Sequence, residues 1–164
     1  MRYWIGVASK NHVERGVKGG FCQLCHGKAQ PLRRMQQGDW IIYYSPKQEF
    51  ESNSPCQQFT AIGEVLGAEV YEFAMSPSFI PFRRDIQFIP DAKPTAIRPL
   101  IQDLNFIKDK SKWGYTFRYG HLEISESDFQ LIAEHMLGYI PQSQTLRLEQ
   151  QLASGKSDLA IFPC

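Results

Sequence analysis

The sequence predicts an α+β fold in which a small curled sheet carries helices on its flank. Short apolar or alternating segments recur along the chain, and most are joined by loops, without the long crossover helices of a doubly wound α/β protein. Helical patterns are few and brief, apart from one amphipathic stretch after residue 125. About six strands and two or three helices therefore form a mixed barrel or a curled antiparallel sheet.

The predicted strands are apolar or alternating runs bounded by turn residues. Gly63 or Gly67 is expected to kink the longest of them. Residues 81–90 alternate, which places four side chains on one face: Phe82, Arg84, Ile86 and Phe88. The strand segments are 3–8, 21–25 (a strand or an extended loop), 40–44, 58–70, 81–90 and 121–124, and 46–55 is expected to be an exposed loop.

The predicted helices begin at capping residues or at a proline. Ser9 is a suitable N-cap for a short helix over 11–17, which Gly19-Gly20 ends. A proline-initiated helix is expected at 97–106 and a helical turn at 110–114. Ser125 opens a capping box with Asp128. The helix that follows has one apolar stripe: Phe129, Ile132, Ala133, Met136 and Leu137.

Composition and charge limit the classes of function. The chain has 164 residues, 43% apolar and 21% charged, which is typical of one globular domain with a proper core. Its net charge of +1 predicts no general attraction to nucleic acid, so any polyanion must be bound by local clusters. We see no signal peptide and no membrane span, and expect a cytoplasmic protein with reduced cysteines.

The segment Cys22-Gln23-Leu24-Cys25-His26 matches the C-x-x-C-H pattern of covalent haem attachment. That chemistry also needs export and an axial partner, and the chain shows no export signal. Zinc would need a second pair of ligands at suitable spacing, which the sequence lacks. We therefore favour two small, half-buried cysteines, and expect neither a metal nor a cofactor.

No motif of a known catalytic class is present. The sequence lacks G-x-S-x-G, a P-loop and a dinucleotide fingerprint, and its carboxylates are scattered. Aromatic and basic residues interleave instead, around Phe21 and Lys28, around Tyr43-Tyr44, and around Trp113 and Arg118. Aromatic and basic side chains in such groups can bind a planar base by stacking. The same aromatic residues are also typical of a hydrophobic core. Arg33-Arg34 and Arg83-Arg84 are compatible with solvated faces or with phosphate contacts.

An ordered set of motifs runs across residues 1–137. Its segments are Tyr3-Trp4-Ile5-Gly6-Val7-Ala8-Ser9, His12-Val13, Gly16-Val17, Gly20-Phe21-Cys22-Gln23, His26-Gly27-Lys28, Pro31-Leu32-Arg33-Arg34-Met35, Gly38-Asp39, Tyr43-Tyr44-Ser45-Pro46, Phe59-Thr60-Ala61-Ile62-Gly63, Pro81-Phe82-Arg83-Arg84, Pro99-Leu100-Ile101, Trp113-Gly114 and Phe117-Arg118. This set resembles the EVE domain, a PUA-like domain related to YTH and ASCH domains. The resemblance is closest to the stand-alone bacterial EVE proteins.

The resemblance implies a PUA-like curled β-barrel with flanking helices and a pocket at one end. In related domains this pocket accepts a nucleobase, often a modified one such as methylcytosine in DNA or methyladenosine in RNA. By position, Phe21 corresponds to a caging aromatic residue and Gln23 to a polar reader. The other implied pocket residues are Ser9, Lys10, Trp113, Phe117 and Arg118. Lys28, Arg33 and Arg34, together with Arg118, are expected to contact phosphates.

The resulting hypothesis is a non-catalytic module that binds DNA or RNA carrying a modified base and has no membrane contact. A small ASCH-like hydrolase or nucleic-acid-modifying enzyme is the alternative, and a small-molecule sensor is another. The sequence leaves open the base, the nucleic acid and the oligomeric state. We expect residues 1–140 to form the EVE domain and residues 141–164 to form a C-terminal appendage that the resemblance does not cover.

Overall fold

A computed structural model describes residues 1–143 and 152–153 of the chain. Residues 1–143 contain eight strands, three α-helices and two 3-10 helices. The strands are β1 (Tyr3–Val7), β2 (Phe21–Cys22), β3 (Trp40–Lys47), β4 (Pro55–Val65), β5 (Tyr71–Glu72), β6 (Phe82–Phe88), β7 (Thr95–Ala96) and β8 (His121–Ile124). The helices are α1 (Lys10–Gly19), α2 (Ala29–Arg34) and α3 (Glu126–Leu137), and the 3-10 helices are Arg98–Asp103 and Lys110–Tyr119.

The strands form one mixed sheet with the order β2-β6-β4-β3-β1-β8, in which β5 pairs with β6 and β7 with β4. The central pair β1–β3 is parallel, and every other pairing among the described strands is antiparallel. A register shift between Tyr43 and Tyr44 interrupts the long β3–β4 ladder. Such irregularities increase local bending and twist. The predicted α+β class, a curled mixed sheet with flanking helices, is confirmed.

The sheet separates two apolar clusters, because successive side chains of a strand point to opposite faces. Ile5 and Tyr44 belong to the first cluster, whereas Trp4 and Tyr43 belong to the second. The first cluster also includes buried residues of α3 and of the segment 97–117, among them Ile97, Leu100, Leu104, Phe117, Phe129 and Ile132. The second includes buried residues of α1, α2, β4 and β6, among them Val13, Leu32, Ala61, Val65 and Ile86. Both faces of the central strands are therefore covered.

Several predicted boundaries were wrong. Strand β3 continues to Lys47, so the predicted loop 46–55 begins later, and β4 ends at Val65 rather than at residue 70. Helix α2 was not predicted, because its six residues are too short for a periodic pattern. The shared face of residues 82–88 is confirmed: Ile86 lies in the second cluster, Phe82 and Phe88 pack against it, and Arg84 is buried.

The predicted helix caps differ in how they form. The Ser125 hydroxyl accepts a hydrogen bond from the Asp128 amide at 3.2 Å, which confirms the cap of α3. Ser9 precedes α1 without capping it, and its hydroxyl instead donates to Asn11 Oδ1 at 2.7 Å. Gly20 ends α1 in the left-handed conformation, with a φ of 71°.

The segment predicted to be a C-terminal appendage, residues 141–164, lies outside the described residues except for 141–143 and 152–153. Pro141 and Ser143 are buried. Among the helices that the structure describes, none has both the length and the apolar character needed to cross a membrane.

Asp39 joins the start of β3 to the N-terminus. Its carboxylate is buried and accepts hydrogen bonds from the Arg2 amide at 3.0 Å, the Trp4 indole at 3.0 Å and the Gln36 amide at 2.8 Å. The indole of Trp4 is fully buried, so Asp39 provides its acceptor. Burying a polar group without a hydrogen-bond partner is costly. Because moving Asp39 would leave the buried Trp4 indole unpaired, these hydrogen bonds fix the Gly38-Asp39 turn.

We expect Asp39→Ala to lower the free energy of unfolding by about 2–4 kcal/mol, because it leaves the buried Trp4 indole N–H without an acceptor. Asp39→Asn keeps an acceptor oxygen and should lose less. Urea denaturation followed by circular dichroism measures both, with the exposed Asp91→Ala as the control. Equal stability of Asp39→Ala and Asp91→Ala would contradict the assigned role.

His121 is a buried titratable group at the start of β8. It is 5% exposed and stacks on Trp4, with ring centroids 4.7 Å apart. Neither ring nitrogen has a hydrogen-bond partner among the described residues. Burial, and to a smaller extent the charge of Arg34, lowers the pKa of His121 from 6.5 to about 4. The folded protein therefore holds this imidazole in its neutral form.

This lowered pKa predicts acid sensitivity. Above pH 6.5 the imidazole is neutral in both states, whereas between pH 6.5 and 4 the unfolded chain binds a proton that the folded chain does not, so stability falls as the pH falls. His121→Phe retains an aromatic ring against Trp4 but cannot bind a proton. It should therefore remove up to about 3 kcal/mol of the acid-induced loss in the free energy of unfolding. Urea unfolding at pH 7, 5.5 and 4.5 compares the two proteins. A stability difference that is the same at all three pH values would refute the assignment.

Candidate nucleic-acid-binding site

The turn after β2 has an unusual backbone. Cys25 and His26 have positive φ values of 49° and 60°, and Gly27 follows at 84°. The Leu24 carbonyl accepts the amides of Gly27 and Lys28 at 3.0 and 3.2 Å, which closes the turn. Non-glycine residues rarely occupy this region, and such strain persists only where the surrounding structure enforces it.

Packing against β6 enforces this turn. The Phe82 amide donates to the Gly27 carbonyl at 2.9 Å, and a Cβ added at Gly27 would lie 2.9 Å from Pro81 Cα and closer still to Pro81 Cβ. On its other side, Cys25 Sγ lies 3.8 Å from the Tyr119 carbonyl oxygen. The turn 24–28 is thus held between the start of β6 and the segment that precedes β8.

Arg83 lies beside this turn, between two aromatic rings. The centre of its guanidinium is 3.7 Å from the Phe21 ring centroid and 3.9 Å from the Phe73 ring centroid. Its Nε donates to Gln23 Oε1 at 3.2 Å. Arg83 is 8% exposed and Gln23 is 6% exposed. We call Phe21, Gln23, Phe73 and Arg83 the Arg83 clamp.

The backbone of Gln23 is fixed by β3. Its amide donates to Tyr43 Oη and its carbonyl accepts from the same hydroxyl, both at 3.3 Å. Tyr43 is almost fully buried in the second cluster, and burial raises its pKa well above the ordinary value, so the hydroxyl keeps its proton. Gln23 Nε2 has no hydrogen-bond partner within residues 1–143 and remains available as a donor.

His12 lies next to the clamp, at the backbone of Gln23. Burial lowers the pKa of His12, a hydrogen bond to the Gln23 backbone opposes this effect, and the charges of Arg15, Arg83 and His26 lower the pKa further. His12 and Arg83 therefore approach Gln23 from two sides, the first at its backbone and the second at its side-chain oxygen.

The structure brings together only some of the predicted pocket residues. Phe21 and Gln23 meet at Arg83, and Ser9 and Lys10 precede His12 at the start of α1. One face of the Phe21 ring is covered by the Arg83 guanidinium.

The late predicted residues belong to the 3-10 helix Lys110–Tyr119. Phe117 stacks on Tyr44 with ring centroids 3.9 Å apart, inside the first cluster, whereas Gln23 contacts Tyr43 in the second. Trp113 is half-buried against the first cluster. Arg118 is exposed and lies 4.2 Å from the Tyr115 ring centroid.

The predicted phosphate contacts are exposed. Lys28 lies at the end of the strained turn, and Arg33 and Arg34 lie in the last turn of α2. Arg33 is 5.9 Å from the Phe82 ring centroid and Arg34 is 5.1 Å from the Trp4 ring centroid. Their charged groups thus extend over aromatic rings while remaining accessible to a ligand.

The cysteine motif does not form a cluster of metal ligands. Cys22 is fully buried, and burial raises its pKa to about 12, so it stays a thiol at neutral pH. Burial also raises the pKa of Cys25. In the described part of the chain, no three His, Cys, Asp or Glu side chains come close enough to hold a metal ion.

Two surface grooves lie next to this region. One, of about 530 Å³, is lined by Arg33, Met35, Gln36, Gln37, Ala68, Glu69, Val70 and Arg84. The other, of about 650 Å³, follows residues 17–20 and 85–88. Arg33 lines the first, and neither groove includes Gln23 or Arg83.

Residues 2–135 match the EVE domain. The chain belongs to the EVE domain family. It is 54% identical over 129 residues to the "UPF0310 protein in gntR 5'region" of Bacillus licheniformis, covering 79% of this chain and 87% of that protein. It is 47% identical over 137 residues to a UPF0310 protein of Mycolicibacterium vanbaalenii, covering 84% and 94%. The predicted resemblance is confirmed.

A solved structure, Rpa0253 from Rhodopseudomonas palustris, shares the fold of this EVE domain. The TM-score is 0.51 at 16% sequence identity, covering 83% of this chain and 93% of that chain. At this identity the likeness concerns the fold.

Sequence reasoning missed Phe73 and His12, and it left Arg83 open between a solvated face and a phosphate contact without linking it to Gln23. Arg83 and Gln23 are separated by 60 positions, and no local pattern connects them. The alternation in β6 did contain a usable signal, because it placed Arg84 on the apolar face and therefore Arg83 on the opposite one.

The strained turn of this EVE domain gives a prediction. We expect Gly27→Ala to lower the free energy of unfolding by more than about 2 kcal/mol and to displace the Cys25–His26 backbone, because the new methyl group meets Pro81. Gly38→Ala is the matched control, since Gly38 also has a positive φ, of 90°, but open space around it. It should lose only about 1–2 kcal/mol from backbone strain. Thermal unfolding measures both, and equal losses would refute the packing argument.

Proposed function

We propose that this EVE domain is a non-catalytic nucleic-acid-binding module that accepts a nucleobase, modified in its natural ligand, beside Gln23. The observation that carries the proposal is the fixed orientation of the Gln23 amide. Arg83 Nε can only donate, so it engages Oε1 and leaves Nε2 as a donor. A buried amide held in one orientation reads a defined acceptor on the edge of a base.

Exposed aromatic rings near the turn 24–28 provide surfaces for stacking. Phe50 is 69% exposed and contacts His26 with ring centroids 5.8 Å apart. Tyr119, whose carbonyl oxygen faces Cys25, is 74% exposed. Aromatic stacking contributes about 1–3 kcal/mol per base. These rings support binding of single-stranded or extruded bases.

Exposed cations suit the phosphates on either side of the base. Lys28 and Arg118 lie on the two segments that meet at Cys25, and Arg33 and Arg34 extend the positive surface along α2. Their contribution should depend on salt, because each phosphate contact releases counterions. Ser9 and Lys10 form the rim at the start of α1. Phe117 packs on Tyr44 in the first cluster and Trp113 packs against that cluster, so both contribute through the sheet rather than by contact with Gln23.

The energetics favour modest selectivity. Extruding a base costs a few kcal/mol, and least when the base is already single-stranded. A single methyl group in an apolar slot discriminates by about 1–3 kcal/mol. We therefore expect micromolar-range, salt-dependent binding in which the modification changes affinity by about one to two orders of magnitude.

The test measures fluorescence anisotropy with 12-nucleotide single strands. One DNA has a central 5-methylcytosine and one RNA has a central N6-methyladenosine, and each is compared with its unmodified counterpart. The wild-type protein should prefer one modified strand. Gln23→Ala and Phe21→Ala should abolish that preference, because the first removes the donor and the second frees Arg83 from one side of the clamp.

Gln102→Ala, on an exposed position of the 3-10 helix Arg98–Asp103, is the control and should bind like the wild type. Circular dichroism establishes that each variant is folded. No preference in the wild type, or variants that lose affinity equally for modified and plain strands, would count against the proposal.

A further inference from the structure

The guanidinium of Arg83 has no counter-ion among the described residues. The ion pair that the structure shows within residues 1–143 joins Arg2 to Glu123, far from β6. Asp85 lies two residues along the same strand, but its Oδ1 accepts from the Tyr71 hydroxyl at 2.6 Å. Burying an unpaired charge is unfavourable. The fold nonetheless places Arg83 at 8% exposure, between two rings.

The donors of Arg83 are only partly used. Nε is engaged by Gln23, whereas neither Nη1 nor Nη2 makes a hydrogen bond to any described residue. The neighbouring Arg84 is the opposite case: its Nε donates to the Gly67 carbonyl at 2.9 Å, and its Nη1 donates to the carbonyls of Leu32 and Met35. Arg84 is therefore a satisfied structural residue, while Arg83 keeps a planar pair of donors for a ligand.

Beside Arg83 lie a free donor, a histidine and one carboxylate, Asp85, whose Oδ1 is engaged by the Tyr71 hydroxyl. Gln23 Nε2 is free to donate, and the charges of Arg15, His26 and Arg83 all act on His12. Arg15 and His26 are exposed, so both can reach a ligand bound at His12. A ligand at this place must supply acceptors and negative charge.

We propose that Arg83, with His12, Arg15 and His26, forms a binding site for a phosphate group, so that the ligand of this domain is a nucleotide unit rather than a bare base. The inference rests on the proposed function for the source of the phosphate, which is the backbone next to the base read by Gln23. A free phosphate monoester has the same chemistry and is the other source. The aromatic rings fix the plane of the guanidinium, which favours bidentate binding of two phosphate oxygens.

The test is a titration of the ¹⁵N-labelled full chain with inorganic phosphate, at an ionic strength kept constant with sodium chloride. Phosphate should produce a saturable shift of the Arg83 Nε–H signal and of the His12 and His26 ring signals. The Arg84 Nε–H signal is an internal reference and should not move, because its partners are all within the fold. Titration of chloride alone should leave all of these signals in place.

Two variants remove the site in different ways. Arg83→Gln removes the guanidinium and should abolish the response at His12. Gln23→Glu places a carboxylate where Oε1 now accepts from Arg83, so an internal ion pair should replace phosphate and weaken its binding at least tenfold. Gln23→Glu gives Arg83 a counter-ion without changing the size of the side chain. If Arg83→Gln does not fold, Gln23→Glu still tests whether Arg83 binds phosphate. Lys18→Gln, an exposed charge on α1, is the matched control and should respond like the wild type.

Fluorescence anisotropy with the 12-nucleotide strands tests the phosphate site separately from nucleic-acid binding. Arg83→Gln should lower affinity about tenfold and reduce the salt dependence by about one counterion, whereas Lys18→Gln should not. Oligonucleotide binding by the wild type together with a flat phosphate titration would overturn the phosphate site and leave the proposed function standing. A saturable phosphate response without oligonucleotide binding would retain the anion site and overturn the nucleic-acid proposal.

Discussion

The burial of β3 on both faces is the constraint on which the rest of the structure depends. Its neighbours are the parallel β1 and the antiparallel β4, and its consecutive residues Tyr43 and Tyr44 enter different apolar clusters. Each tyrosine then fixes a separate region: Tyr43 binds the backbone of Gln23, and Tyr44 stacks on Phe117. A strand at the centre of the sheet thus determines where the candidate reader lies.

The sequence was informative where a short-range pattern determines the structure. Period-two alternation located β6 and its inward face, and the Ser125 cap located α3, because both signals lie within a few residues of each other. Helix α2 and the two-residue strands β5 and β7 are too short for any period to show. Family resemblance supplied the fold and pointed to Phe21 and Gln23 as candidate site residues, but it did not indicate that Arg83 contacts both.

The contrast between Arg83 and Arg84 shows why the site was harder to predict than the fold. Both residues are arginines at buried positions of the same strand. Alternation directs Arg84 toward backbone carbonyls of α2 and Arg83 toward the outer face, where Phe21 and Phe73 meet it. Phe73 comes from the irregular segment after β5, whose path no local pattern specifies. Long-range packing, not composition, therefore selects which arginine remains available.

The hydrogen bonds between Tyr43 and the Gln23 backbone have a consequence for finding the natural ligand. Because Gln23 is attached to the middle of the sheet, the candidate site and the sheet should unfold as one cooperative unit rather than separately. A ligand that binds at the site then stabilises the whole domain by mass action. At a free ligand concentration of a hundred times the dissociation constant, the free energy of unfolding rises by about 2.7 kcal/mol. A melting-temperature screen of nucleotides and oligonucleotides therefore detects binding at the candidate site without a label on the ligand.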